Sequence, residues 1–150
     1  MYKNVEDRRL QGDVIVKPTL VDTDILSMYF RGHSKVTKNF NEYIDLYGKI
    51  NISIITYYEI VSGLKHRDAK KYLDLFLSFA NQNTVLNLTE NSVTISAEIY
   101  ANVRKEGQAI DDIDLLIAGI ALSHNLEITT NNVVHFDKIK GLKVSNWSDR

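Results

Sequence analysis

A chain of 150 residues that is 44% hydrophobic and 25% charged has the size and apolar content of one globular domain. It has no cysteine, which excludes disulfides, cysteine-ligated zinc, iron–sulfur clusters and thiol nucleophiles together. The net charge of −1 offers no global attraction for nucleic acid, so any such contact must come from local basic patches or metal ions.

No apolar run approaches the roughly 20 residues that span a bilayer, and the N-terminus, MYKNVEDRRLQGD, is charged where a signal peptide would be apolar. A soluble, cytoplasmic protein with no membrane association is expected. Residues 1–17 mix charges without an amphipathic period and precede the only proline, Pro18. They are expected to form an N-terminal extension, flexible or an edge strand, with the domain proper at 18–150.

Thr19–Val21 is a short apolar run that passes through Asp22-Thr23-Asp24 into Ile25, Leu26, Met28, Tyr29 and Phe30, a strand turning into a helix. Val36, Phe40, Tyr43, Ile44 and Tyr47 recur at helical spacing, and Gly48 closes that segment. The β-branched Ile50, Ile52, Ile54 and Ile55 predict a second strand up to Thr56, followed by a helix from Thr56 to Gly63. Residues 69–81 place Tyr72, Leu73, Phe76, Leu77 and Ala80 on one helical face. Val85, Leu86 and Leu88 predict a short strand, and Thr89 is placed to cap the helix carrying Val93, Ala97, Tyr100 and Val103.

Residues 111–124 are strongly apolar and predict a central buried helix. Gly119 within it costs about 1 kcal/mol against alanine, which points to a close approach of another element. Leu126–Thr129 predicts a last core strand and Leu142–Val144 a short edge strand before Trp147. This alternation of strands and helices predicts an α/β domain with a mainly parallel sheet and helices on both faces, its ligands gathered at the carboxyl ends of the strands.

Three acids would then crowd one end of the sheet: Asp22 after the first strand, Glu59 one turn into the helix after the second, and Asp114 in the first turn of the buried helix. Clustered carboxylates repel one another, and Mg²⁺ or Mn²⁺ relieves this because hard cations prefer oxygen ligands. Such ions activate water in phosphodiester hydrolysis. Each acid also has a structural reading. Thr56-Tyr57-Tyr58-Glu59 is a capping box by sequence, and Asp111 or Asp112 fits an N-cap with Asp114 as a first-turn acid. Asp22 is harder to explain in that way, since it follows Leu20-Val21 and Asp24 is available as the cap.

The string Leu20-Val21-Asp22-Thr23-Asp24-Ile25-Leu26 resembles the opening of a PIN domain. Residues 53–64, with Glu59 and the trailing Gly63-Leu64, resemble the second motif of that family; Asp112-Ile113-Asp114-Leu115-Leu116 resembles the third and Thr129-Thr130-Asn131-Asn132 through Phe136 the fourth. The ending Gly141-Leu142-Lys143-Val144-Ser145-Asn146-Trp147 is similar to VapC-type members. Four ordered motifs are far more specific than one.

The resemblance implies a three-layer α/β/α domain with a mainly parallel central sheet flanked by helices, and a metal-dependent endoribonuclease of the VapC toxin type. It further implies Mg²⁺ or Mn²⁺ at an acidic pocket, structured RNA such as tRNA as substrate, a VapB-like antitoxin whose tail blocks the pocket, and a homodimer. By position, Asp22, Glu59 and Asp114 match the catalytic, metal-binding acids. The fourth acidic position falls on Asn132, which can hold a water but adds no charge, so one metal is expected rather than two. Asp112, Thr23 and Thr130 are further candidates for water-mediated or supporting contacts. His135 stands where an acid is frequent and is read as a loop packing residue.

Arg31, His33, Lys35 and Lys38 form one basic cluster, and Lys65, His66, Arg67, Lys70 and Lys71 another. Arg31, Lys35, Lys65 and Arg67 are the candidate RNA contacts, against the default reading of a solvated surface. Tyr57, Tyr58 and Tyr72 are read as core or dimer contacts rather than stacking platforms. Two other functions fit parts of the chain. One is a haloacid-dehalogenase-like phosphatase with Asp22 as nucleophile, and the other a PIN-like binding module without catalysis.

Overall fold

The structure, a computed structural model, describes residues 17–149, and the expectation for residues 1–17 lies outside them apart from Lys17. Five short strands, β1 (Thr19–Val21), β2 (Asn51–Ser53), β3 (Thr84–Leu86), β4 (Glu127–Thr129) and β5 (Val144–Ser145), form one sheet in the order β3-β2-β1-β4-β5. Every pairing is parallel, with Val21 opposite Thr129, Ser53 opposite Leu86 and Thr129 opposite Ser145. All carboxyl ends therefore share one edge. The order reverses at β1, whose neighbours are β2 and β4, so the switch point at which open α/β sheets bind ligands lies between the ends of β1 and β4.

Among the described residues seven helices cover the sheet: α1 (Thr23–Phe30), α2 (Ser34–Tyr47), α3 (Ile54–His66), α4 (Lys70–Gln82), α5 (Glu90–Lys105), α6 (Asp112–Ser123) and the single turn α7 (Val133–Phe136). On one face Leu20, Ile128 and Phe136 pack with Ile117 and Ile120 of α6; on the other Val21, Ile52 and Trp147 pack with Ile25, Phe40, Tyr43 and Phe76. A central strand buried on both faces reads as a continuous apolar run, which is why Leu20 and Val21 are both inaccessible. Trp147 is 1% exposed against Phe40 and Tyr43, and Asn39 donates to its carbonyl at 2.9 Å, tying the chain end to α2.

The element boundaries follow local chemistry. Gly48 ends α2 in the left-handed region at φ 79°, and Thr89 and Ser92 form a reciprocal capping box at the start of α5. A Cβ on Gly119 would collide with the Ser96 hydroxyl and the Ser92 carbonyl, so the expected close approach exists and joins α6 to α5.

The second strand differs from expectation. It stops at Ser53, and Ile54 and Ile55 lie in α3, because Ser53 Oγ accepts from the Thr56 amide at 3.0 Å and starts the helix before Thr56. The helix also runs beyond Gly63 to His66. The last strand is shifted likewise, to Val144–Ser145. Among the described residues no helix is long and apolar enough to cross a membrane.

Candidate active site

Asp22 follows the last residue of β1 and caps α1. Its amide donates to the Thr129 carbonyl at 2.9 Å, continuing the β1–β4 ladder, while its Oδ1 accepts from the Thr23 amide at 2.9 Å. Its Oδ2 accepts from the Thr130 hydroxyl at 2.8 Å across the switch point. Sequence reasoning gave the cap to Asp24; the structure gives Asp22 this place because its backbone is still extended, at φ −76° and ψ 161°. Asp24 instead accepts from the Ile25 amide at 2.7 Å and the Asn131 amide at 3.0 Å, which holds it against the loop after β4.

These carboxylates disturb one another. Burial, then the charge on Asp24, and further Asp114, push Asp22 up to about 7 in spite of the opposing bonds from Thr130 and Thr23. Burial foremost, and Asp114, raise Asp24 against the bonds from Ile25, Asn131 and Thr130. No lysine or arginine pairs with Asp22, Asp24, Glu59 or Asp114 among the described residues. The negative charge of these acids is therefore uncompensated by the strong bases of the described residues.

Glu59 reaches the same edge from α3. The alternative capping-box reading of Thr56 to Glu59 does not hold, since Ser53 caps this helix, and Glu59 Oε1 accepts from the Thr23 hydroxyl at 2.8 Å. Thr23 Oγ1 also lies 2.9 Å from Thr56 Oγ1, so this threonine links α1 to α3 directly beside Asp22. Asp114 stands in the first turn of α6, whose cap is Asp111 through a bond from the Ile113 amide at 3.1 Å. Asn132 follows β4 and receives its backbone fix from Thr130 Oγ1 at 3.0 Å. Asp112 is exposed.

Two members of this cluster escaped the reading of the sequence. Asp24 reads as a cap in the sequence, although its two-residue spacing from Asp22 across a strand-to-helix turn is a signal for the site. His135 was read as packing, yet its Nδ1 lies 3.1 Å from Asp114 Oδ2 and 2.8 Å from the Asn132 side-chain amide. Its spacing of three from Asn132 was the signal there.

The donor set is entirely oxygen apart from this ring. Among the described residues no group of three or more His, Cys, Asp or Glu is arranged to hold an ion directly.

A groove of 660 Å³ opens beside Thr23 and Glu59, walled by α1, α3 and α4. Phe30, Tyr72 and Leu75 line it while 48%, 64% and 59% exposed. Arg31 and Arg67, which belong to separate clusters in the sequence, both line this groove; Lys35 and Lys65 are exposed outside its walls. His33 turns its Nδ1 to the Val36 amide at 3.3 Å, and Lys70 pairs with Asp74 at 3.5 Å. Tyr57 packs against Phe76, but Tyr58 is 69% exposed and, like Tyr72, lies outside the core.

The model of the PIN domain matches residues 19–142. Ribonuclease VapC1 of Methanocaldococcus jannaschii is 31% identical over 127 residues, covering 83% of this chain and 85% of the relative. The tRNA(fMet)-specific endonuclease VapC of Shigella flexneri is 31% identical over 102 residues, 67% of this chain and 77% of the relative. Among solved structures, VapBC2 from Rickettsia felis bound to a DNA fragment from their promoter superposes with a TM-score of 0.71 at 25% identity, over 86% of this chain and 98% of that one. With the parallel sheet, the acids at its switch point and these relatives in agreement, the chain belongs to the PIN-domain family, in its VapC ribonuclease branch.

Proposed function

We propose that this protein is a metal-dependent endoribonuclease of the VapC toxin type, with Asp22, Glu59 and Asp114 as its catalytic, cation-holding acids. The observation that carries the proposal is Asp22: a buried carboxylate at the sheet's switch point, pushed up to about 7 by burial and by Asp24 and Asp114, with no strong base paired to it among the described residues. Hard oxygen donors around uncompensated charge fit Mg²⁺ or Mn²⁺. When bound, such a cation neutralises the phosphodiester and makes water a better nucleophile.

The chain's own groups do the positioning. Thr130 and the Thr23 amide fix the two oxygens of Asp22, the Thr23 hydroxyl fixes Glu59, and Asn132, its backbone amide bound to Thr130 Oγ1, would serve as an uncharged water-holding group. The reaction is hydrolysis: a water oxygen bonds to phosphorus, a phosphorus–oxygen ester bond breaks, and the departing oxygen takes up a proton. Arg31 and Arg67 in the adjoining groove would meet phosphates flanking the scissile one, a local substitute for a global positive charge.

The name of the Shigella relative supports tRNA as the substrate class. The apolar groove beside Glu59 suits a small antitoxin, a segment of which would lie against Phe30, Tyr72 and Leu75 and cover the acids. Ile113 and Val134, exposed beside Asp114 and His135 in the chain, offer apolar surface to a second copy in a homodimer. Family membership removes the support for a phosphatase, and the presence of all three acids argues against a purely binding module.

Purified protein is expected to cleave RNA in Mg²⁺ or Mn²⁺, to lose that activity in EDTA, and to lose it when Asp22→Asn and Asp114→Asn are combined. Cleavage that persists through either treatment would falsify the proposal. Labelling of Asp22 by a beryllofluoride phosphate mimic, with no RNA cleavage, would establish the phosphatase instead.

A further inference from the structure

The His135 ring meets two polar groups through a single nitrogen. Its Nδ1 is 3.1 Å from Asp114 Oδ2 and 2.8 Å from the Asn132 side-chain amide. A carboxylate oxygen accepts, so a hydrogen bond from the ring to Asp114 Oδ2 places a proton on Nδ1. An amide N–H aimed at the same nitrogen would then have no acceptor. The amide stands with its Nδ2 at 2.8 Å from the ring; a half-turn about its Cβ–Cγ bond puts Oδ1 there instead, and one Nδ1–H then serves both Asn132 and Asp114.

The surroundings make this contact more than filling. Phe136, the next residue, is completely buried and anchors the turn α7 in the core, while the His135 side chain is 48% exposed and that of Asp114 17%. Hydrophobic burial of His135 thus contributes little to the placing of the turn. Among the described residues, no lysine or arginine lies within ion-pair distance of Asp114.

We propose that His135 is a positioning residue for the cation site, its Nδ1–H holding Asp114 Oδ2 so that Oδ1 stays directed to the cation, with Asn132 fixing the ring. This rests on the cation site proposed above. Oδ1 has no hydrogen bond among the described residues, so it is the oxygen left to serve as a ligand. Hydrogen-bonded supports of ligating carboxylates orient them and raise metal affinity.

The test is calorimetric titration of the full chain with Mn²⁺ alone, for the wild type, Asp114→Asn and three variants of His135, each also melted without metal. His135→Ala and His135→Phe are expected to weaken Mn²⁺ binding by about tenfold or more, with melting temperatures close to wild type. His135→Asn places an amide N–H near the lost Nδ1–H and is expected to retain most of the affinity. Wild-type affinity in His135→Phe, or no recovery in His135→Asn relative to His135→Ala, would overturn the positioning role while leaving the cation site intact. A wild type that binds no Mn²⁺ would remove the cation site itself, and this role with it. Independently of any metal, long-range ¹H–¹⁵N spectra are expected to show a proton on His135 Nδ1; a bare Nδ1 with the proton on Nε2 alone would overturn the inference.

Discussion

A carboxylate moved from water into a site only 8% exposed loses solvation for its charged form, and at Asp22 the charges of Asp24 and Asp114 add to that loss. Its pKa stands at about 7 in the folded chain against 3.8 for the free group. The folded state therefore holds an extra proton between those values, and stability falls as pH rises through them. At about 1.4 kcal/mol per unit, the loss by pH 8 has a ceiling of roughly 4 kcal/mol. In EDTA, the melting temperature of the wild type is expected to fall between pH 5 and 8, while Asp22→Asn lacks this component and melts higher than wild type at pH 8. Mg²⁺ is expected to reverse the wild-type loss, since cation binding displaces the proton. Identical pH profiles for the two proteins would show that Asp22 bears no such strain.

The helices turn residue chemistry into geometry, and α6 shows how narrowly. Gly119 lets the backbone of α6 approach Ser92 and Ser96 of α5, and Ser96 Oγ lies 2.7 Å from the Leu115 carbonyl at that crossing. A methyl group has no room there, because one of its obstacles is the Ser92 carbonyl of the backbone. Gly119→Ala is expected to destabilise the fold by about 1–3 kcal/mol, lowering the melting temperature by several degrees, since overpacking outweighs its gain in helix propensity. An unchanged or raised melting temperature would contradict the contact. Much of this level was legible in the chain: Gly119 stood out because glycine in an apolar helix needs a reason, and Thr89 and Gly48 marked helix ends by their side chains alone. The start of α3 was not legible. Ser53 and Thr56 both suit a cap, and only the end of the β2 ladder at Ser53 decides between them, which moves Glu59 from a capping role to the Thr23 hydroxyl.

At the scale of the molecule, the alternation of apolar runs with helical periods was enough to indicate the parallel sheet, and motif order was enough to bring Asp22, Glu59 and Asp114 to one edge. What local pattern could not show is what meets at the switch point. Asp24 reaches Asn131, 107 residues away, a contact that exists only once β1 and β4 are paired, and His135 reaches Asp114 over 21 as the helices on either side of β4 come together. Arg31 and Arg67 likewise share a groove through the packing of α1 beside α3. The central claim is that three acids from three separate elements act as one cation-dependent site, and Glu59 tests it hardest, being tied to the others through Thr23 rather than by direct contact. The decisive measurement is the initial rate of tRNA cleavage against Mn²⁺ concentration for the wild type, Asp22→Asn, Glu59→Gln and Asp114→Asn. A strict Mn²⁺ requirement in the wild type, with losses of about 100-fold or more in all three variants, is the expected result. Wild-type rates in Glu59→Gln, or cleavage indifferent to Mn²⁺, would contradict it.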